Sequence, residues 1–364
     1  MLTPELKRDY RAVSYTLVSC VIGLIFMRLV MYFASLPDDT YGQSLAGDAL
    51  FTLLTQIVFF LAVPFLIYVF YGKRSPREVL SYSSVGKFHA YHLLALPLGI
   101  AVFFVTVGVS ALWTGLLEWT GYTVSSASTP KPDEFVFGFF IADVLLTAVI
   151  PAVCEEFCMR GGMLTTAKNS YRSVWCVVIC AVAFGLFHQN IRQVFYTSLF
   201  GALAAFTVIK TKSLCPAMLM HFANNFCSVY IDYATDYGWT VGGGFYDFIG
   251  GMGFLPLALM FLAIAAFGIV MIVLMLYIKD RRVIARKKLT LKDSAFDATN
   301  KRVVLMGEFD AERVERLEME KEVYGKDYKR PLYKPAPRDI MIVAALFTVT
   351  LLTTVFTYVW GFFY

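Results

Sequence analysis

Charge is scarce in this sequence: 16% of its 364 residues are Asp, Glu, Lys or Arg, against 58% hydrophobic. A soluble domain carries roughly a quarter charged residues, so the chain lacks the polar surface that would keep it in water. That excludes the soluble enzyme of two or three domains that length alone would allow. The excess of positive charge is small, +5, and it sits in loops, where it reads as membrane orientation and not as a nucleic-acid footprint. Cysteines number seven, an odd count with no CxxC pair, so neither a disulfide framework nor a redox motif is implied. Cys154/Cys158 and Cys176/Cys180 share helix faces by spacing and read as small packing residues. Histidine is rarer still, four in all, and no HExxH motif is among them. No internal repeat or low-complexity tract is evident. The apolar run after Lys7, Arg8 and Arg11 continues to about Leu36 without a small-residue cleavage site. It is too long for a signal-peptide core and reads as a retained first span.

What the sequence has in abundance is apolar runs near the length that crosses roughly 30 Å of hydrocarbon. They predict an all-α integral membrane protein, a polytopic bundle of nine spans at about 12–36, 49–71, 91–117, 135–157, 172–189, 194–210, 214–232, 253–279 and 339–363. Loop charges alternate between them. Lys73, Arg74, Arg77 and Lys87, then Lys168 and Arg172, then Lys210 and Lys212 mark one side; Asp38, Asp39 and Asp48, then Glu118, Asp133 and Glu134, then Asp232, Asp236 and Asp247 mark the other. Cytoplasmic loops are the Lys/Arg-rich ones, which puts the N-terminus in the cytoplasm and the C-terminus outside it. The chain divides into N-terminal helices (1–134), a core (135–232), an eighth helix (233–279), a polar cytoplasmic segment (280–338) and a last helix (339–364). The polar segment opens with Arg281, Arg282, Arg286, Lys287 and Lys288, drawn to anionic headgroups. It continues with an i,i+4 pair, Glu312 and Arg316, and stiffens at Pro331, Pro335 and Pro337. Nothing in it looks catalytic.

Ionisable residues at membrane depth are costly, so each is a candidate for function. Span four holds Glu155, Glu156 and Arg160 inside apolar sequence. Glu156 and Arg160 are four apart and pair on one helix face. Glu155 points about 100° away and has no partner within its helix, which makes it a candidate general base. His188 closes span five, and His221 lies early in span seven with Asn224 and Asn225 on its face. A glutamate, two histidines and an amide are the parts needed to activate water and stabilise an oxyanion. The bland alternatives are a Glu–Arg staple between helices and hydrogen-bonded packing histidines; His89 and His92, beside a basic interface, are of that kind. Arg28 in span one is expected to snorkel to an interface, and Asp143 to pair with a cation such as Arg192.

Three motifs in order, Glu155-Glu156-Phe-Cys-Met-Arg160, Phe184 to His188 and His221 to Asn225, resemble the EExxxR, FxxxH and HxxxN signatures of the CAAX prenyl protease and bacteriocin-processing family of intramembrane endopeptidases. Pro151 and Gly161 also fall where that family has Pro and Gly; Met159 departs from its usual Phe, at a packing site. The resemblance covers about residues 135–232. It implies Glu155 as the base that activates water, Glu156 and Arg160 as its support, His188 orienting the water or stabilising charge, and His221 with Asn225 polarising the scissile carbonyl. The partners implied are a peptide or protein substrate near the cytoplasmic face and the lipid bilayer. Zinc on Glu155, His188 and His221 is the alternative to a metal-free glutamate mechanism, since two His and one Glu leave a fourth position open. The metal-free mechanism, with no cofactor, is preferred, because HExxH is absent and the three groups come from three spans. Competing readings are a transporter, against which no duplicated half with a matching broken helix is seen, and a non-catalytic scaffold or bacteriocin self-immunity protein. One tension stands: the orientation places Glu155 and His221 in the cytoplasmic half but His188 toward the far end of span five.

Overall fold

The computed structural model describes residues 4–34, 40–82, 88–123, 130–167, 173–290 and 337–360, and no strand occurs among them. The helices are α1 (Pro4–Ala34), α2 (Tyr41–Tyr71), α3 (Pro76–Tyr82), α4 (Ala90–Trp119), α5 (137–167), α6 (Ser173–Phe187), α7 (Val194–Thr211), α8 (Cys215–Asp236), α9 (Phe245–Gly250), α10 (Phe254–Thr290) and α11 (Pro337–Trp360). The chain is an all-α, polytopic membrane protein. Seven of these, α1, α2, α4, α5, α7, α10 and α11, are long and apolar enough to cross a bilayer among the described residues. The remaining two expected spans fall on α6 and α8. The apolar stretch of α6, Val174–Phe187, is shorter than the other seven, and α8 carries His221, Asn224, Asn225, Asp232 and Asp236. Most of the expected polar segment, residues 291–336 with the Glu312–Arg316 pair, lies outside the described residues, as do Lys87, Lys168 and Arg172.

Lipid tails are as apolar as leucine, so helices in a membrane associate through close packing and polar contacts and not through burial from water. The core unites Leu98 and Val102 of α4, Met159 and Met163 of α5, Phe184 of α6, Phe200 and Ala204 of α7, and Met220 of α8. α6 packs on α7, and α8 packs on both α4 and α5. At the α4–α8 crossing a Cβ on Gly99 would stand 2.4 Å from the Met220 carbonyl oxygen, so only glycine admits this approach. It sets the depth at which the next residue, His221, enters. All seven cysteines are free thiols, and the Cys20 and Cys158 sulfurs, 3.7 Å apart, join α1 to α5. Large apolar side chains of α10 and α11, among them Leu255, Leu262, Leu352 and Phe356, face outward, as lipid-facing surface does.

The described part of α6 has 15 residues, a rise of about 22 Å, and ends at Phe187, one residue before His188. The chain then turns through residues 188–193, with the buried Gln189 in the left-handed region at φ 46°. Backbone that leaves a helix among apolar segments needs protein partners. Arg28 of α1 donates to the His188 carbonyl at 2.8 Å and the Gln189 carbonyl at 3.3 Å. Trp113 of α4 donates to the Ile191 carbonyl at 2.6 Å, and the Ile191 N–H donates to Thr357 of α11 at 2.9 Å. Arg28, itself exposed, therefore ties the turn after α6 to α1. Each charge-assisted bond contributes about 1.5–3 kcal/mol when well shielded, and this one is partly exposed. Arg28→Met is expected to destabilise by about 2 kcal/mol, read as a lower melting temperature in detergent, with Arg28→Lys recovering part. A snorkelling arginine would leave melting unchanged.

Candidate active site

α5 is not a regular helix. Wide π-helical turns at Val144–Val149 and Phe157–Met163 flank the short α-helical segment Ile150–Glu156. Such turns accommodate an irregularity in the hydrogen-bond ladder and recur at functional sites. Here the irregularity is Pro151, which has no N–H to give the carbonyl four residues back. That carbonyl, of Thr147, accepts instead from Asn225 Nδ2 of α8 at 2.9 Å. Asn224 donates to the Asn225 amide oxygen at 2.9 Å, which orients it. α2 repeats the device, with a π-helical stretch at Leu54–Ala62 just before Pro64. This stretch packs against Ile150–Glu156 and Phe157–Met163 of α5.

Glu156 and Arg160 pair as their spacing predicts, Oε1 to Nη1 at 2.8 Å, and both side chains are 0% exposed. Arg160 also donates to the Gly201 carbonyl at 3.2 Å and lies over the Phe184 ring at 4.5 Å. The same Glu156 oxygen meets His221 Nδ1 at 3.0 Å. A carboxylate accepts, so Nδ1 carries the hydrogen. Phe200, with its ring centre 4.8 Å from that of His221, packs the imidazole from α7. Glu156, Arg160 and His221 thus form one buried chain of bonds linking α5 to α8, with Arg160 tying in α7.

Glu155 is set apart from this chain. It is partly exposed, and its Oε1 accepts from Gln56 Nε2 of α2 at 2.7 Å. As its spacing predicts, it has no partner in its own helix; its partner is a neutral amide across the interface. His188 Nδ1 lies 2.8 Å from the Phe184 carbonyl, which can only accept. Neutral His188 therefore keeps an unprotonated Nε2. Glu155, His221 and Arg28 all lie within electrostatic reach of it. Among the described residues no three His, Cys, Asp or Glu side chains are grouped so as to hold a metal ion.

Toward the other end of α5, Asp143 accepts from the Tyr41 and Tyr233 hydroxyls at 2.5 Å each; these two tyrosines, and not Arg192, are its partners. Just beyond, Lys131 binds Asp232 at 2.5 Å and Asp236 at 2.6 Å and lies over the Tyr233 ring. Burial acts to lower the Lys131 pKa, but the two carboxylates outweigh it and hold it above the usual lysine value. His92 is buried and bridges to the His89 backbone N–H at 3.4 Å, away from the glutamates.

Sequence reasoning missed Gln56, the Arg28 bonds to the turn after α6 and the Glu156–His221 bond. The available signal for the first was a lone amide inside the apolar run of span two. Residues 137–227, a quarter of the chain, match the family described as Rce1-like, type II CAAX prenyl endopeptidase. All three motifs lie within that match, so the family recognised from them is borne out over this region. No curated protein and no solved structure matches the chain.

Proposed function

We propose that this protein is an intramembrane endopeptidase in which Glu155 activates water for attack on a peptide bond near the cytoplasmic face. The observation that carries the reading is the unequal setting of two adjacent glutamates. Glu156 is wholly buried and bonded to Arg160 and His221, whereas Glu155 is partly exposed and bonded to a neutral amide. The first has the setting of a fixed counter-ion, and the second that of a carboxylate able to exchange a proton.

In this mechanism Glu155 takes one proton from water as the water oxygen adds to the scissile carbonyl carbon. The water's other O–H, which stays on the adduct, donates a hydrogen bond to His188 Nε2, whose ring is held by the Phe184 carbonyl. The tetrahedral oxyanion accepts from His221 Nε2–H, the imidazolium form being supported by Glu156 at Nδ1. Asn225 contributes the amide hydrogen not engaged by Thr147. The proton on Glu155 then passes to the leaving amine as the C–N bond breaks. The substrate is a peptide or protein that reaches the site from the bilayer or the cytoplasmic surface. The N-terminus lies in the cytoplasm and the C-terminus outside it, as the loop charges argue. No cofactor takes part.

Purified protein in detergent, offered a peptide library, is expected to cut at a defined bond with and without a strong chelator present. Cleavage lost to the chelator and restored by zinc would overturn the metal-free mechanism.

A further inference from the structure

Gln56 is a partly buried amide with one hydrogen bond among the described residues. It stands in the π-helical stretch of α2, in the apolar run Leu53-Leu54-Thr55-Gln56-Ile57-Val58-Phe59-Phe60. An amide in such a run is costly unless it is satisfied. Its Nε2 donates to Glu155 at 2.7 Å, while its Oε1 is shielded from solvent and meets no partner among the described residues. An ionised carboxylate can only accept, so Glu155 alone dictates which way this amide faces. Among the described residues, the Glu155 carboxylate is the amide's one hydrogen-bond partner.

We infer that Gln56 is a positioning residue for the proposed hydrolysis, holding Glu155 Oε1 so that Oε2 is the oxygen presented to water. The inference rests on Glu155 being the base. It places part of the machinery on a helix outside residues 137–227, so the matched region does not complete its own site. Local geometry allows the bond: the π-helical stretch Leu54–Ala62, which holds Gln56, packs against the α-helical segment Ile150–Glu156, which holds Glu155.

The test uses the full chain in detergent, with Gln56→Met, which keeps size without polarity, and Gln56→Glu, which can donate only while protonated. kcat, KM, melting temperature and the pH profile of cleavage are measured beside the native protein. Gln56→Met is expected to lower kcat about 10²-fold, the cost of a misplaced reacting group. KM should stay native, and melting should stay close to native. Gln56→Glu is expected to work while the two carboxylates share a proton and to fail on the alkaline side, where both ionise and the donor is lost. Native kcat in Gln56→Met overturns the inference and leaves Glu155 as the base. So does a fall in kcat that comes with a fall in melting temperature, if Gln56→Glu keeps the native pH profile. Absence of cleavage by the native protein across the library overturns the proposed function, and this inference with it.

Discussion

Glu156→Gln is expected to destabilise the folded protein by about 3–5 kcal/mol, the usual cost of removing one member of a buried ion pair. The expectation follows from where Arg160 sits. Its side chain is 0% exposed, its Nη1 lies 2.8 Å from Glu156, and its other described polar contact is the Gly201 carbonyl. A glutamine still offers an oxygen, but it leaves the guanidinium uncompensated in a region without water. His221 loses its anionic partner in the same step. The double change Glu156→Gln with Arg160→Met should recover part of the melting temperature, because the guanidinium left without its carboxylate is gone. It should not recover activity, since the support for the His221 imidazolium is still missing. If the double variant melts no higher than the single one, the ion pair is not what holds these helices together.

Glu155→Gln should behave in the opposite way. The new side chain has the same shape, and its carbonyl can still accept from Gln56. The position is partly exposed and belongs to no ion pair. Melting should therefore stay close to native. Cleavage should fall about 10²- to 10⁴-fold, the range attributed to a positioned general base.

The helical elements were legible because hydropathy at the scale of a bilayer is a strong signal, and the three motifs because their residues are local in sequence. Glu156 and Arg160 pair within one helix, so spacing alone placed them. The Glu156–His221 bond joins residues 65 apart, and nothing local announces it. Asn225 was correctly set on the face of His221. Its bond to Thr147, however, depends on a carbonyl left without its usual N–H by Pro151. The proline signals that such a carbonyl exists, but not which side chain will fill it. The two carbonyls that Arg28 reaches in the turn after α6 carry no signal in the sequence. Asp143 was assigned a cation, but two tyrosine hydroxyls satisfy its carboxylate without a second charge. In each case the missing information was a partner on another helix.

The most direct measurement is the turnover of a cleaved peptide per folded molecule, taken for Glu155→Gln and Glu156→Gln beside the native protein, with melting temperature recorded on the same samples. The account predicts that Glu155→Gln melts like the native protein and cleaves almost nothing, while Glu156→Gln melts well below it. Retained turnover in Glu155→Gln, with turnover lost in Glu156→Gln at native melting temperature, would contradict it and exchange the roles of the two glutamates.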